Sequence, residues 1–223
     1  LSMDLFCPAK AMTVIIGPSG AGKTTLIRIL AGLETPDTGT IRFGNDLWLD
    51  TGRRFALPPR KRRLGYVFQD YTLFPHLTIA QNAAFAARDR DRVQRLLDRF
   101  GLAALQDRKP AAVSGGERQR CAICQALASE PRLLLLDEPF SALDVFTRRE
   151  LRSRLRAMIA ELDLTVVYVT HDVTEALYLA DNLVPVVEGR IDRHWLQRSI
   201  AQVETGGNER SRSVREPRLA VVY

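Results

Sequence analysis

The sequence has few cysteines, no long apolar run and little lysine. Three cysteines among 223 residues cannot form a disulfide framework, so we expect a reducing compartment such as the cytoplasm. No stretch approaches the roughly 18–20 apolar residues of a membrane span. Residues 1–10 lack a basic region leading into an apolar run. The sequence therefore predicts neither a membrane-spanning helix nor a signal peptide.

The composition is that of a globular chain, with 46% hydrophobic and 26% charged residues. Its net charge is +6, and the basic residues are 28 arginines and only 4 lysines. Acidic residues are interleaved with these arginines, as in residues 88–92. Mixed-sign runs are typical of solvated helix surfaces, so we expect no nucleic-acid partner.

Short apolar runs alternate with helical patterns along the chain. Strands are predicted at residues 12–17, 133–136, 165–170 and 183–187, and helices at residues 24–33, 115–129, 147–162 and 173–180. Small β pieces fall within residues 39–69, and a charged helical pattern covers residues 79–105. The pattern fades after about Leu196, and residues 204–218, which are rich in Gly, Arg, Ser and Glu, are predicted to be a loose tail. The alternation predicts an α/β fold with a parallel sheet and helices on both faces.

The first chemical motif is a P-loop, which matches the pattern G-x-x-x-x-G-K-[ST]. Its backbone N–H groups can surround a phosphate at a helix N-terminus. Lys23 is expected to reach the β- and γ-phosphates of ATP, and the Thr24 hydroxyl to reach Mg²⁺. The nucleotide-binding residues predicted here are Gly17, Pro18, Ser19, Gly20, Ala21, Gly22, Lys23, Thr24 and Thr25.

Two acidic residues end the leucine-rich strand at residues 133–136. An acid at the end of a buried strand is costly unless a cation or donors lie near. Beside a P-loop, Asp137 is expected to hold Mg²⁺ through water and Glu138 to polarise the attacking water.

A capping-box pattern joins Ser114 to Glu117, with Gly115 and Gly116 between them. A capped helix that starts with two glycines is also a potential anion site. This segment, Val-Ser-Gly-Gly-Glu-Arg-Gln-Arg, resembles the signature motif of ABC-type ATPases, and it lies between the P-loop and the acidic strand end, as in that family.

Three further residues fit the same resemblance. Gln69 resembles the Q-loop residue that contacts Mg²⁺, Asp144 the D-loop residue that bridges the two sites of a dimer, and His171 the histidine that touches the γ-phosphate. The resemblance implies ATP and Mg²⁺ as cofactors and Glu138, His171 and Gln69 as catalytic residues. It also implies Thr24, Gln69 and Asp137 around the metal.

The family implies a P-loop NTPase (RecA-like) core with a mainly parallel sheet, a small antiparallel β part and an inserted helical subdomain. The corresponding division of the chain is residues 1–76 for the first part of the core, 77–128 for the helical subdomain, 129–195 for the second part of the core and 196–223 for the tail.

Family members work as head-to-tail dimers. ATP lies between the P-loop of one copy and Ser114, Gly115 and Gly116 of the other. The chain is too short between Gln69 and Ser114 for the coiled coil of DNA-repair members, and it has one cassette where translation-linked members usually have two. The expected role is therefore a peripheral subunit at the cytoplasmic face of the cell membrane, acting on separate permease subunits and, indirectly, on a solute-binding protein.

Residues 62–78 look like those of importers of small inorganic anions, most of all molybdate or tungstate. Phe74, Pro75 and His76 are expected to lie where the family docks its permease. Sulfate, iron, polyamine and sugar importers share much of this stretch, and a non-transport cassette is a further alternative. Two cysteines, Cys121 and Cys124, mimic a metal or redox pair, but their mid-helix position favours core packing. The aromatic residue that stacks on adenine in the family is expected before Leu1.

Overall fold

A computed structural model describes residues 1–70, 72–141, 143–206 and 218–219. The strands are β1 (Met12–Ile16), β2 (Thr40–Phe43), β3 (Asp46–Asp50), β4 (Phe55–Ala56), β5 (Leu64–Val67), β6 (Leu133–Asp137), β7 (Thr165–Thr170), β8 (Asn182–Val187), β9 (Arg190–Ile191) and β10 (Arg218–Leu219). The α-helices are α1 (Lys23–Ala31), α2 (Ile79–Ala83), α3 (Arg90–Arg99), α4 (Gly115–Ala128), α5 (Val145–Glu161), α6 (Val173–Leu179) and α7 (Arg193–Gly206).

One compact unit consists of Leu1–Arg62 and Thr165–Tyr223. Its main sheet is parallel, with β1 paired to β7 on one side and to β8 on the other, and β10 paired to β8. Every residue of β1 and β7 is buried. Strands buried on both faces have no need of polar residues at alternate positions, which explains their nearly continuous apolar sequences.

The same unit contains a smaller antiparallel sheet of β2, β3 and β4, with a register shift between Ile41 and Arg42. Trp48 of β3 is buried and stacks on Phe43, with ring centroids 5.0 Å apart. The sequence predicted this β part but not β4 or β9, because each of those strands has only two residues.

The other compact unit is Arg63–Leu164. It contains the parallel pair β5 and β6, together with α2, α3, α4 and α5. All five residues of β6 are buried. The sequence analysis divided the chain at residues 76, 128 and 195 according to the family's functional parts, whereas the two units described here are compact units of structure. The division by functional parts stays a prediction.

The charged helical pattern at residues 79–105 contains two helices, α2 and α3. It breaks after α2 and resumes at α3 because the Asp89 carboxylate caps the new helix, accepting a hydrogen bond from Asp91 N at 2.9 Å. Helix α7 extends beyond Leu196 to Gly206, so the predicted loose tail at residues 204–218 is wrong for its first three residues. Asp192 starts this helix by accepting a bond from Trp195 N at 3.0 Å. The rest of the predicted tail, apart from β10, lies outside the described residues.

The predicted α/β class, with mainly parallel strands and a small antiparallel sheet, is confirmed. Within the described residues, no helix combines the length and the apolar character needed to cross a membrane.

Candidate nucleotide-binding site

The P-loop follows β1 and ends in the first turn of α1. Gly20 and Gly22 have φ values of 80° and 92°, in the left-handed region that favours glycine. Gly17 is required for a different reason, because a Cβ there would lie 1.9 Å from the carbonyl oxygen of Val186 in β8. Strand β8 therefore packs directly against the start of the loop and fixes its path.

Lys23 is the first residue of α1, and its side chain is only 5% exposed. Its ammonium donates hydrogen bonds to the carbonyl oxygens of Gly17 and Pro18, each at 2.8 Å. These bonds hold a positive charge inside the curve of the loop, at the N-terminus of a helix. Thr24 and Thr25 follow with exposed side chains. The loop thus presents a cation, a helix N-terminus and two hydroxyl groups to an entering phosphate.

His171 lies at the same edge of the sheet as the P-loop. Ile16, the last residue of β1, pairs with Thr170, the last residue of β7. The P-loop follows Ile16 and His171 follows Thr170, so both leave the sheet at the same edge. The turn at His171 is fixed on both sides. Thr170 Oγ1 lies 2.5 Å from Glu175 Oε2, and the Asp172 carboxylate accepts a bond from Glu175 N at 2.9 Å to cap α6. His171 itself is exposed.

Asp137 and Glu138 lie at the end of β6, in the second unit. Asp137 is 3% exposed, and the Tyr66 hydroxyl donates to its Oδ2 at 3.3 Å. The Tyr66 ring stacks on Phe68, with centroids 4.0 Å apart. Glu138 has a φ of 45°, and its carbonyl accepts bonds from Ser141 N at 3.2 Å and Ser141 Oγ at 3.0 Å. This turn holds a non-glycine residue in the left-handed region, a form of backbone strain common at functional sites.

Gln69 comes close to the two acids through strand pairing. Val67 of β5 pairs with Leu136 of β6, so Gln69 and Asp137 emerge at the same edge of this parallel pair. Gln69 is exposed, as expected for a residue that contacts a ligand.

The predicted capping box at the signature segment is present. Ser114 Oγ accepts a bond from Glu117 N at 3.3 Å, and Ser114 N donates to Glu117 Oε2 at 2.6 Å. This backbone bond lowers the pKa of the Glu117 carboxyl and favours its anionic form. The glutamate thereby satisfies a backbone donor at the helix start and leaves the first turn, with Gly115 and Gly116, open to a further acceptor.

Asp144 lies beside this helix start. The Gly116 Cα faces Leu143 and Thr147, since a Cβ added there would meet their side chains at 3.4 and 3.6 Å. The Asp144 carboxylate caps α5 by accepting bonds from Phe146 N and Thr147 N, each at 3.0 Å. Hydrogen bonding with Thr147 lowers the pKa of this carboxyl. The fold therefore brings the signature segment and Asp144 onto neighbouring helix N-termini.

The predicted docking residues form part of an aromatic cluster. The Phe74 ring centroid lies 6.0 Å from that of His76, in an edge-on arrangement, and 4.2 Å from that of Phe85. Pro75 and His76 are exposed, and Phe85 is 61% exposed. The sequence analysis did not single out Phe85, because it lies inside the charged helical pattern at residues 79–105.

The two cysteines of α4 pack in the core, as predicted. Both side chains are fully buried, with Cys121 Sγ 3.5 Å from Ile79 O and Cys124 Sγ 3.7 Å from Leu96 O. Burial raises the pKa of Cys121 to about 12. Among the described residues, no group of three or more His, Cys, Asp or Glu side chains could hold a metal ion on its own.

Two supporting residues were missed by the sequence analysis. Arg62 lies in the basic run of residues 60–63, yet it is 3% exposed and bonds to backbone carbonyl groups. Asn82 is fully buried and bonds to the segment that contains Phe74. Both side chains bond to main-chain groups, which are the same at every residue, so no pattern of side chains in the sequence indicates these bonds. The one available signal was an asparagine inside a helical pattern, where this residue is disfavoured.

The parallel sheet, the glycine-rich turn and the buried lysine at a helix start define a nucleotide-binding protein of the P-loop class. The sequence profile described as ABC transporter matches residues 2–141. The chain belongs to the ABC transporter family, which confirms the predicted resemblance.

Individual relatives agree with this assignment. The chain is 45% identical over 200 residues to the sulfate/thiosulfate import ATP-binding protein CysA of Mycobacterium tuberculosis, covering 86% of this chain and 55% of the relative. It is 43% identical over 196 residues to the molybdenum import ATP-binding protein ModC of Methylococcus capsulatus, covering 86% and 54%. The chain spans about half the length of the curated relatives it matches.

The fold also matches a solved structure of a dimeric ATP-binding cassette, captured in a post-hydrolysis state with bound ADP and Pi. The TM-score is 0.72 and the identity 31%, with 85% of this chain and 86% of that chain covered. The P-loop NTPase fold is therefore confirmed.

Proposed function

We propose that the chain binds and hydrolyses ATP to power an ABC importer. The observation that carries this proposal is the P-loop, in which the buried Lys23 ammonium is held by the Gly17 and Pro18 carbonyl oxygens at the N-terminus of α1. A phosphate that enters the loop can replace these two acceptors and satisfy the backbone N–H groups of the first turn.

We assign the catalytic roles by residue. Lys23 and the backbone N–H groups of the P-loop, residues 17–25 except Pro18, hold the phosphates of ATP. Mg²⁺, when bound, neutralises charge on the phosphate oxygens, and Thr24, Gln69 and Asp137 supply oxygen ligands of the kind it prefers. Glu138 orients and polarises the attacking water, and His171 contacts the terminal phosphate.

We infer that two copies act together, head to tail. Ser114, Gly115, Gly116 and Glu117 form the start of one helix, and Asp144 begins its neighbour. Both N-termini carry the partial positive charge that attracts phosphate. These residues of one copy complete the site on the P-loop of the other, so hydrolysis requires the dimer.

The proposed setting is the cytoplasmic face of the cell membrane, where the chain docks on permease subunits that receive solute from a solute-binding protein. The cluster of Phe74, His76 and Phe85, in which His76 and Phe85 are exposed and Phe74 is half-buried, supports this docking role, since aromatic side chains are enriched at protein interfaces. Pro75, which is also exposed, lies between the first two of these residues.

We propose a small tetrahedral oxyanion as the transported solute. The sequence analysis favours molybdate, whereas the two relatives described above are named for sulfate/thiosulfate and for molybdenum import. Sulfate and molybdate share the tetrahedral dianion, so the relatives support the chemical class rather than one member.

The hydrolytic mechanism is tested by Glu138→Gln. The variant should bind ATP with Mg²⁺ and accumulate as a dimer, with hydrolysis reduced by at least roughly a hundredfold, because the water loses its base. Phosphate release and light scattering measure the two effects. Glu130→Gln is the matched control, since Glu130 also has a positive φ and precedes β6. A Glu138→Gln variant that stays monomeric with ATP would refute the composite site.

The transport role is tested by capturing the tagged full-length protein from gently solubilised native membranes. A polytopic membrane protein together with an oxyanion-binding protein among the companions supports the importer. Only soluble or ribosomal companions would leave the ATPase assignment standing and refute transport.

A further inference from the structure

Asn82 is a fully buried amide that bonds to the backbone of the segment before its helix. Its Oδ1 accepts a hydrogen bond from Phe74 N at 2.7 Å. Its Nδ2 faces three carbonyl oxygens, those of Phe74 at 3.1 Å, Leu77 at 3.2 Å and Thr78 at 2.9 Å. One side chain thus bonds to both the N–H and the C=O group of Phe74.

The position of Asn82 is itself fixed by α2. This helix has five residues, too few to be stable in isolation. A capping box between Thr78 and Gln81 starts it, and its first two N–H groups donate to the carbonyl oxygens of Arg108 at 2.8 Å and Gln106 at 2.9 Å. The helix is therefore anchored at its N-terminus, so Asn82 can hold a neighbouring segment in place.

The segment that Asn82 holds, residues 74–78, carries the proposed docking residues and is called the docking loop here. Fixing the Phe74 backbone sets the direction of its ring, which packs on Phe85 at 4.2 Å. Pro75 and His76 lie between Phe74 and Leu77, to both of which Asn82 bonds, and both are exposed. A loop of five residues without helix or strand bonds would otherwise sample many conformations.

We propose that Asn82 is the positioning residue for permease docking, holding the docking loop in its binding conformation before the partner arrives. This inference rests on the proposed function, because it assumes that the docking loop contacts a membrane partner. A loop ordered in advance loses less conformational entropy on binding, so the affinity of the complex rises. The bonds of Asn82 to residues 74–78 place its effect on docking rather than on ATP chemistry.

The test compares Asn82→Asp and Asn82→Ala with the wild type, each introduced into the chromosomal gene as a tagged full-length protein. The aspartate keeps the acceptor for Phe74 N but loses the donors to three carbonyl groups. Asn45→Ala and Asn45→Asp are the matched controls, since they make the same changes at an exposed asparagine in the turn between β2 and β3, in the other compact unit. Phe74→Ala removes the docking ring directly.

Three measurements are made on each variant. Amide hydrogen exchange should speed up by roughly tenfold or more across residues 74–78 in both Asn82 variants, because each variant loses the Nδ2 donors that hold three loop carbonyl groups and the loop then opens more often. The ATPase rate of the purified protein without membrane subunits should stay within about twofold of the wild type. The amount of the membrane companion captured with the wild type should fall at least about fivefold, as it should for Phe74→Ala.

Unchanged exchange at residues 74–78 would overturn the positioning role, and so would full capture of the companion despite a loosened loop. A parallel loss of ATPase activity would also overturn it, since the residue would then act on the whole fold. If Asn82→Ala does not fold, Asn82→Asp decides the matter. If the wild type captures no membrane protein, the importer proposal fails, whereas the exchange comparison still decides whether Asn82 orders the loop.

Discussion

Replacing Arg62 with leucine should lower the free energy of unfolding by about 3 kcal/mol. The guanidinium lies between the C-terminus of α1 and the small antiparallel sheet. It donates to the carbonyl oxygens of Leu57 at 2.9 Å, Ile29 at 3.0 Å, Leu30 at 2.7 Å and Trp48 at 3.4 Å. It also lies 5.4 Å from the centroid of the Trp48 ring.

The magnitude follows from these contacts. Four hydrogen bonds at about 1 kcal/mol net each give about 4 kcal/mol. Leucine recovers about 1 kcal/mol through its own apolar burial. For a chain of this length, a net loss of about 3 kcal/mol corresponds to a fall in Tm of about 6–12 °C. Burial already lowers the pKa of the Arg62 guanidinium, so the site stabilises the cation less than water does and depends on these acceptors.

Chemical denaturation followed by tryptophan fluorescence measures the loss, because Trp48 contacts the substituted side chain. Arg60→Leu is the control, since Arg60 is an exposed member of the same basic run and should change stability by less than about 0.5 kcal/mol. Arg62→Lys should lose about half as much as the leucine variant, because one ammonium cannot reach all four carbonyl groups. A loss below about 1 kcal/mol for Arg62→Leu would refute the reasoning.

Two further predictions concern the signature helix. Ser114→Ala and Thr78→Ala should each cost about 1 kcal/mol of stability through the lost cap, but only Ser114→Ala should reduce ATP hydrolysis by more than about tenfold; equal ATPase rates in the two variants would contradict the signature role. Burial raises the pKa of Cys121 from 9.0 to about 12, so its stabilising effect is complete below pH 9 and is lost as the pH rises towards 12. Between pH 8 and 10.5, denaturation curves should show the wild type losing about 2 kcal/mol more than Cys121→Ala; parallel pH profiles would contradict this assignment.

The sequence indicated the candidate site residues more clearly than the residues that hold them in place. Contiguous motifs carry their own signal, so Lys23, Asp137 and Ser114 could be found without coordinates. The buried strands were predictable for a similar reason, since a run such as residues 133–136 has no other stable place in a folded chain. The helix break before Asp89 could not be separated from the surrounding charged pattern, because an exposed acid fits a helix surface and a cap equally well.

Arg62 and Asn82 could not be predicted because their partners are main-chain groups. A carbonyl oxygen is present at every residue, and only the folded path determines which of them face one guanidinium or one amide. The close contact between Gly17 and the Val186 carbonyl group could not be predicted for the same reason, since Val186 also contributes a main-chain atom. The glycine was recognisable as part of a motif, whereas the strand that requires it was not.

Strand β1, which leads into the P-loop, takes both of its neighbours, β7 and β8, from much later in the sequence. Met12 N donates to Asp181 Oδ2 at 2.8 Å, across 169 positions of sequence. During synthesis on a ribosome, the glycine-rich turn emerges well before β7 and β8, the two strands that pair with β1. Contacts this distant in sequence also form slowly. The P-loop thus acquires its shape only after β8 has been made, and a chain that terminates before β8 would carry the whole motif without the strand that shapes it.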